Sequence, residues 1–415
     1  MKDNNHDQIV DSRAITVRIT DIAHGGWGVG RVNDQVVFVR GSIPGELVEA
    51  HVTQARSKFL RAVASRIIEP SESRVEHPWK IGDAGQTGAA DFGHIKLADQ
   101  RNLKTQVLQS QIRRLGGEDL CAHLEPFAPS IVGIDKTDGW HWRTRIDLVK
   151  MDTGFGMYQE RSHNLLRVDC VPLAVRDLDD LELFGSRWDR HIKPGDKVRV
   201  VSPSTGDNVI STKHGTYIAP NVKTNSFVEN IASDAANVHH YSVQAAGFWQ
   251  VHWKAPQILL EAVIDQLNIE PGMNVVDLYS GAGLFSVPAA KRVGEKGNVI
   301  ALEGSKPAAE DAKRNLAQFP WAKVQHRNID AEVILGHTGH ADIVIADPSR
   351  SGLGIEAAHA LASLPASRIA LVSCDPAAMA RDCAVLIAAG REVISVQGFD
   401  IFPNTHHFEV VTLFS

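Results

Sequence analysis

Cys374 stands where an apolar run stops. "LVSCDPAAMARDC", Leu371 to Cys383, reads as a strand that ends at the thiol, a short polar turn and a helix. A structural cysteine belongs inside the apolar run, whereas one at a strand's exit faces the crevice where α/β sheets bind ligands. Farther on, Glu409 lies between Phe408 and Val410 in "NTHHFEVVTLF". A carboxylate flanked by apolar residues in a strand costs desolvation free energy unless it is paired or used. Thiol and carboxylate together are a nucleophile and a base. The bland alternatives are an inert small hydrophobe and an ion-pair partner. His406 and His407 are alternatives for the base or for phosphate contact. Cys121, Cys170 and Cys383 lack such a setting and read as structural.

A second cluster suggests what would lie beside them. "DLYSGAGLFS", Asp277 to Ser286, follows an apolar strand, and Gly281 and Gly283 permit a tight turn with close backbone approach to a ligand. The next strand ends at Glu303, where an acid can hold a ribose by its two hydroxyls. A dinucleotide or S-adenosylmethionine would satisfy this much. Position 286 is Ser, so G-x-G-x-x-G is incomplete, and Asp277 sits just before the loop. Both favour the methyl donor, which has no pyrophosphate to repel. The fourth strand exits as "ADPSRSGLG", with Asp347 over the same crevice. Amino-group methyltransferases usually carry an aromatic ring there, and here Ser349 and Arg350 follow.

A methyl donor, a thiol and a base fit one chemistry. Carbon-5 of uracil is a poor nucleophile. A thiolate adding to carbon-6 makes carbon-5 enolate-like, so that it attacks a sulfonium methyl; a base then removes the carbon-5 proton and the thiol leaves.

The elements that must carry these residues follow from pattern. From about Ala255 strands and helices alternate, the sign of a doubly wound, mostly parallel sheet. Only "DIFPNTHH" separates the last two strands, which fits an antiparallel final strand. Residues 13–68 look all-β, with a glycine-rich turn and an Asn-Asp, and suggest a small OB-like barrel. Its end, His51 to Arg66, holds Arg56, Lys58, Arg61 and Arg66 and no acid; it is the best phosphate-facing strip, or else a solvated strand face. Pro70 to Pro78 reads as a linker. Leu97 to Leu115 has helical spacing and a Gly116-Gly117 stop. The region from 125 to 245 reads as mixed and mostly β, with "RTRIDLVKM" and "DKVRVVSP" as strands. The expected fold class is α/β in three parts: 1–70, 71–245 and 246–415.

Bulk properties bound the function. The 415 residues carry a net charge of −6, which excludes a uniformly cationic coat but not a local basic patch. Four cysteines are too sparse for a disulfide framework and have no zinc spacing, so no metal site is expected and a cytoplasmic location is. The start, "MKDNNHDQIVDS", lacks an apolar leader core, and no apolar run reaches ~18 residues, so no membrane span is expected. No obligate protein partner is evident.

"DLYSGAGLFS", "ADPSRSGLG", "LVSCDPAAMARD" and "FPNTHHFEVV", in this order and spacing, resemble the RNA uracil-5-methyltransferase family, and the first 68 residues resemble its TRAM domain, an OB-like RNA-binding module. The resemblance spans nearly the whole chain and is weakest from 120 to 240. It implies Cys374 as nucleophile and Glu409 as proton acceptor. It implies S-adenosylmethionine contacts by Gln250 in "FWQVH", Tyr279, Glu303, Asn328 and Asp347, and ribosomal or transfer RNA as substrate. Leu284 and His252 stand where members often have Asn. Many members bind a [4Fe–4S] cluster, but Trp79, Thr87 and Ala90 fall at three cysteine places and only Cys170 remains, so no iron–sulfur cluster is expected. A related cytosine-5 enzyme usually carries a second cysteine in the fourth-strand loop, which here reads "DPSRSG". A non-catalytic RNA-binding protein of the same fold is opposed by the intact Cys374, Glu409 and Asp347.

Overall fold

A computed structural model describes residues 14–160, 162–337 and 340–415. The polar start, with its expected lack of a leader core, lies outside them. The chain divides into two compact units. One gathers Met1–Val107, Gly156–Val168 and Phe402–His407; the other gathers Leu108–Phe155, Asp169–Ile401 and Phe408–Ser415. The three-part reading follows pattern along the chain, whereas these units follow contacts in space. Among the described residues no helix is long and apolar enough to cross a membrane.

The second unit is built on an eight-stranded sheet. In spatial order its strands are Ala322–His326, Asn298–Glu303, Asn274–Leu278, Ile343–Ala346, Arg368–Ser373, Glu409–Phe414, Val393–Asp400 and Ile131–Gly133. The first five run parallel, and Glu409–Phe414 is antiparallel to both of its neighbours. Sequence pattern anticipates seven of the eight. The short strand Ile131–Gly133, which pairs in parallel beyond Val393–Asp400, carries too little pattern to be seen. Every residue of Ile343–Ala346 and Glu409–Phe414 is buried, as expected where helices cover both faces of a sheet. Strand order reverses between Asn274–Leu278 and Ile343–Ala346, and ligands of open α/β sheets bind at such a switch.

The same unit holds five antiparallel neighbours, among them the expected Arg145–Lys150 and Lys197–Val201. A hairpin, Phe227–Ser233 with Val238–Gln244, leads into the loop that bears Gln250. Helix Lys306–Leu316 anchors that hairpin: Ser242 N donates to Asn315 Oδ1 (2.8 Å) and Gln244 N to Asp311 Oδ2 (3.0 Å). The helix Leu97–Gln111 does not stop at the glycine pair. A wider turn, Ile112–Gly116, passes into a second helix, Gly117–Leu124. Gly116 serves packing, since a Cβ there would lie 2.1 Å from Leu120 Cδ2.

In the first unit β1 (Ala14–Ala23), β2 (Trp27–Val32), β3 (Gln35–Arg40), β4 (Leu47–Ala55) and β5 (Phe59–Glu69) form a closed barrel in the order β1-β2-β3-β5-β4. Alternation places Val17, Ile19, Val37, Val39, Val48, Ala50, Val52, Leu60 and Ala62 inside. Asn33 and Asp34, at φ 48° and 63°, make the β2–β3 turn. The expected linker is tied down: Arg74 Nε and Nη2 reach the buried Glu46 carboxylate at 2.5 and 2.8 Å.

Asp91 organises the segment just before Glu409. Its carboxylate accepts from Arg40 Nη1 (3.1 Å) and from the backbone N of His406 (3.1 Å), and lies 2.6 Å from His406 Nδ1. Gly26 lets the barrel's glycine turn close on this group, since a Cβ there would sit 3.0 Å from His406 Cβ. Burial by itself would raise the Asp91 carboxyl; His406 by charge and hydrogen bond, then Arg40 and His407, outweigh it and hold the group at about 2. A folded-state value below the unfolded one, ~3.9, gives stability that is complete above about pH 5 and lost as pH falls towards about 2. The depression is worth about 2–3 kcal/mol. Asp91→Asn should therefore be less stable than wild type near neutral pH, with the gap closing as pH falls through that window in urea titrations. A pH-independent gap would mean that these ion pairs are not what holds the segment.

Candidate active site

The glycine loop at the switch point is strained and open. After Asn274–Leu278, Tyr279 takes φ 62°, uncommon for a residue with a side chain, and Gly281 and Gly283 follow at 56° and 90°. Asn315 Nδ2 donates to Ala282 O (2.9 Å) and Tyr241 Oη to Leu284 O (2.9 Å), so the helix and hairpin described above also fix this loop. Glu303, at the end of the neighbouring strand, accepts from Gly281 N (2.8 Å) and Ser305 N (2.6 Å). A Cβ on Gly304 would lie 3.6 Å from Asn328 Oδ1, which puts Asn328 beside Glu303.

Asp277 is fully buried beneath the loop, and one of its oxygens accepts from Ser286 Oγ. Its other oxygen and Ser280 Oγ have no partner among the described residues. Burial raises the Asp277 carboxyl to about 7; Asp347 and Glu303 push the same way and Ser286 opposes. A Cβ on Gly281 would project into open space. Unsatisfied buried oxygens under an open, left-handed backbone, with Glu303 turned to the loop, fit S-adenosylmethionine. Gln250 is half-buried on its loop, and burial raises the Tyr279 hydroxyl to about 12.

The thiol and the carboxylate meet at one edge of the sheet. The antiparallel register pairs Ser373 with Val410, so the next position on each strand is Cys374 and Glu409. Asp375 caps the following helix, Pro376–Ala388, by accepting from Ala377 N and Ala378 N, with Pro376 at its first turn. The strand must therefore end at the cysteine. The same helix holds the Asp347 loop: Asp382 Oδ2 accepts from Leu353 N (2.7 Å), and a Cβ on Gly352 would come within 2.4 Å of that oxygen. Asp382 is a positioning residue that sequence reasoning missed, because nothing marks a carboxylate on one helix as the partner of a distant loop.

Charge in this corner is one-sided. Burial, then Glu303, raises Asp347 to about 7. Burial, then Asp347, raises Glu409 well above the carboxylate range, and its Oε1 has no partner among the described residues. Burial, then Glu409 and Asp347, pushes the Cys374 thiol up to about 12, with Arg350 opposing. In the protein alone, then, burial and the neighbouring acids keep Cys374 a thiol. Cys383 is buried, which pushes its thiol up to about 12, and Cys170 is exposed rather than part of a core.

Basic groups missed in the sequence stand nearby. Burial pushes Arg143 down, Arg199 and Arg350 act in the same direction and Asp147 opposes. Arg145 is buried, and its Nε and Nη2 have no partner among the described residues. Burial and Arg199 push it to about 9 against Asp311. "RTRIDL" reads simply as a strand with alternating charge, so burial of its arginines had no signal.

In the first unit the expected RNA strip divides. Arg56 and Lys58 are exposed at the tip between β4 and β5. Arg61 is half-buried, 5.4 Å from the Trp27 ring centroid and 5.7 Å from that of Phe59. Arg66 pairs with Glu49 across the strands at 3.5 Å. His406 Nδ1 is engaged by Asp91. Trp79 is buried with its ring against Gly82, and Thr87 Oγ1 donates to Ile81 O. This unit contains no cysteine, so its residues do not fit an iron–sulfur cluster.

Comparison with known proteins agrees with this geometry. Residues 13–64 match the TRAM domain. Residues 207–343 match protein-L-isoaspartate(D-aspartate) O-methyltransferase, a stretch that includes the glycine loop and Glu303 but stops before Asp347, Cys374 and Glu409. An uncharacterized RNA methyltransferase of Bifidobacterium longum is 32% identical, covering 96% of this chain and 96% of its own length. One from Streptomyces coelicolor is 33% identical, over 96% and 92%. The 23S rRNA (uracil(1939)-C(5))-methyltransferase RlmD of Shewanella sediminis is 25% identical, over 100% and 98%. The crystal structure of Pyrococcus abyssi tRNA (uracil-54, C5)-methyltransferase in complex with S-adenosyl-L-homocysteine shares the fold, with a TM-score of 0.68 at 19% identity over 97% of this chain and 100% of that one. A TRAM barrel, a methyltransferase sheet and relatives of full length agree, and the chain belongs to the S-adenosylmethionine-dependent RNA uracil-5-methyltransferase family.

Proposed function

We propose that this chain methylates carbon-5 of a uridine in ribosomal or transfer RNA, through a covalent bond between Cys374 and carbon-6, with Glu409 as the base. The observation that carries this reading is the Ser373–Val410 register, which sets a thiol and a buried carboxylate at adjacent positions on the ligand-binding edge. Gln250, Tyr279, Glu303, Asn328 and Asp347 hold S-adenosylmethionine. When bound it supplies an electrophilic methyl on a sulfonium centre, and with it a positive charge. Arg56, Lys58 and Arg61 contact RNA phosphates. By role, 1–70 is the RNA-binding part, 71–245 the central part and 246–415 the methyl-transferring part of a cytoplasmic enzyme that needs no iron–sulfur cluster. A cytosine-5 reaction is disfavoured because the Asp347 loop, "DPSRSG", offers no second thiol.

The residues act in sequence. A cationic donor held beside Asp347 and Glu409 would offset their repulsion of a Cys374 thiolate, as Arg350 does, so that the thiol proton passes to water and Glu409 stays ionised for the later step. The thiolate adds to carbon-6 of a uracil flipped from its stack, which makes carbon-5 nucleophilic toward the methyl. Glu409 becomes a stronger base once the neighbouring positive charge is gone. It then takes the carbon-5 proton, the carbon-5–carbon-6 double bond re-forms and the thiolate leaves.

Cys374→Ser should lose methylation while still binding S-adenosylmethionine and RNA. Glu409→Gln should transfer methyl but stall, leaving protein joined to methylated RNA. RNA carrying 5-fluorouridine should trap the wild type, since carbon-5 then has no removable proton. Denaturing electrophoresis with peptide mass mapping reads all three. Methylation by Cys374→Ser, or no adduct from active enzyme on fluorinated RNA, would sink the covalent mechanism.

The raised thiol gives a pH test. Because a group near 12 is protonated at neutral pH, iodoacetamide labelling of Cys374 in the protein alone should rise about tenfold per pH unit between about pH 7 and pH 10. At fixed pH, S-adenosylmethionine should speed it on the order of tenfold over the uncharged S-adenosylhomocysteine. Equal rates would show that charge at this site does not control the thiol.

Glu303→Ala removes an acceptor for two ribose hydroxyls. Charge-assisted hydrogen bonds contribute about 1.5–3 kcal/mol each, so calorimetry should show at least about tenfold weaker cofactor binding. Unchanged affinity would move the ribose elsewhere.

A further inference from the structure

Three rings stack at one edge of the second unit. Trp142 and His252 are both fully buried, 5.5 Å apart between centroids and 14° from parallel. Trp253 lies on His252 at 5.9 Å and 25°, yet it is 51% exposed. His252 is fixed within the stack. Its Nδ1 accepts from Lys254 N (3.1 Å), and its Nε2 lies 3.2 Å from Asp135 Oδ2. Trp253 N donates to Trp142 O (3.1 Å), and Thr144 N donates to Val251 O (2.8 Å), so the backbone of this loop is tied as firmly as its rings. A large indole is thus left partly in water, against its ordinary preference, on a support that prevents it from folding inward.

What would cover it follows from charge. After Trp142 come Arg143, its guanidinium 5.7 Å from the Trp142 centroid, and, opening the next strand, the buried Arg145 with two nitrogens unpartnered among the described residues. Arg350 adds a third guanidinium whose charge acts on Arg143 and also on Cys374. In a chain of net charge −6 these arginines are a local exception. A flat apolar ring beside clustered guanidiniums matches a polyanion that carries flat bases, not an apolar protein surface. Gln250, which the proposed function assigns to the cofactor, is three residues before Trp253 on the same loop.

We propose that Trp253 is a stacking platform for one unpaired base of the substrate RNA, flanking the uridine that enters the site; the proposal rests on RNA being the substrate. Stacking on an aromatic face is sequence-tolerant, and its removal weakens binding on the order of tenfold per base.

The test uses fluorescein-labelled deca-uridylate and an abasic ribose-phosphate chain of equal length, read by anisotropy on the full chain. Trp253→Ala should bind deca-uridylate about tenfold more weakly than wild type and the abasic chain equally well. Trp253→Phe, which keeps a ring, should recover most of the loss. Unchanged S-adenosylmethionine affinity in both variants would exclude misfolding as the cause. Equal losses on both probes, no loss on deca-uridylate, or a wild type that does not prefer bases over abasic chain would each overturn the platform. Methyl transfer by wild type into total RNA from a strain lacking the gene tests the underlying reading separately. Its absence together with a base-dependent loss would sink the enzyme reading and leave the platform standing.

Discussion

The antiparallel pairing of Glu409–Phe414 with Arg368–Ser373 is the constraint on which the chemistry depends. A parallel strand at that place would bring its carboxyl end to the ligand edge. An antiparallel one brings its beginning, so the residue that opens the strand stands beside the residue that leaves its neighbour. Period-two geometry then leaves no freedom, because a slip of one position would turn every side chain of a fully buried strand to the other face. The register that buries the strand is therefore the register that sets Glu409 beside Cys374.

Burial gives that pairing its electrostatic character. Asp277, Asp347, Glu303 and Glu409 converge where little water reaches, and the carboxyls among them that burial shifts all move up. Besides burial, Glu409, Asp347 and Asp375 all push the thiol up, and Arg350 pulls it in the opposite direction. Such a site suits a cationic ligand, and while it is empty burial and the acids keep Cys374 protonated. Thiolates oxidise more readily than thiols, so a thiol held near 12 is protected at neutral pH.

The loops reach the site through side chains borrowed from other elements. Asn315 and Tyr241 support the glycine loop, Asp382 the Asp347 loop, and, in the first unit, Asp91 the segment that precedes Glu409. Each is a buried or half-buried polar group whose hydrogen bonds are satisfied by a distant backbone, and each would be costly to leave unpaired. Asn315, Tyr241 and Asp382 each fix a loop that carries a residue of the candidate site.

The sequence by itself determined the parts that are local. Period-two and helical patterns marked residues 13–68 as all-β and located seven of the eight strands of the sheet, although Trp27–Val32 lay in a stretch that read as a glycine-rich turn, and the ends of the sheet strands located Asp277, Glu303, Asp347, Cys374 and Glu409. Pattern could do this because alternation and strand exits depend only on near neighbours in the chain. The glycine pair at 116–117 misled because a helix can pass a glycine when packing against Leu120 requires one. Tertiary structure alone decided the rest. It buried Arg143 and Arg145, chose Asp382 and Asp91 as supports, stacked His252 between two tryptophans and raised the thiol. Burial and charge at a point are sums over everything packed around it, and residues tens to hundreds of positions apart contribute to that sum only after the chain has folded.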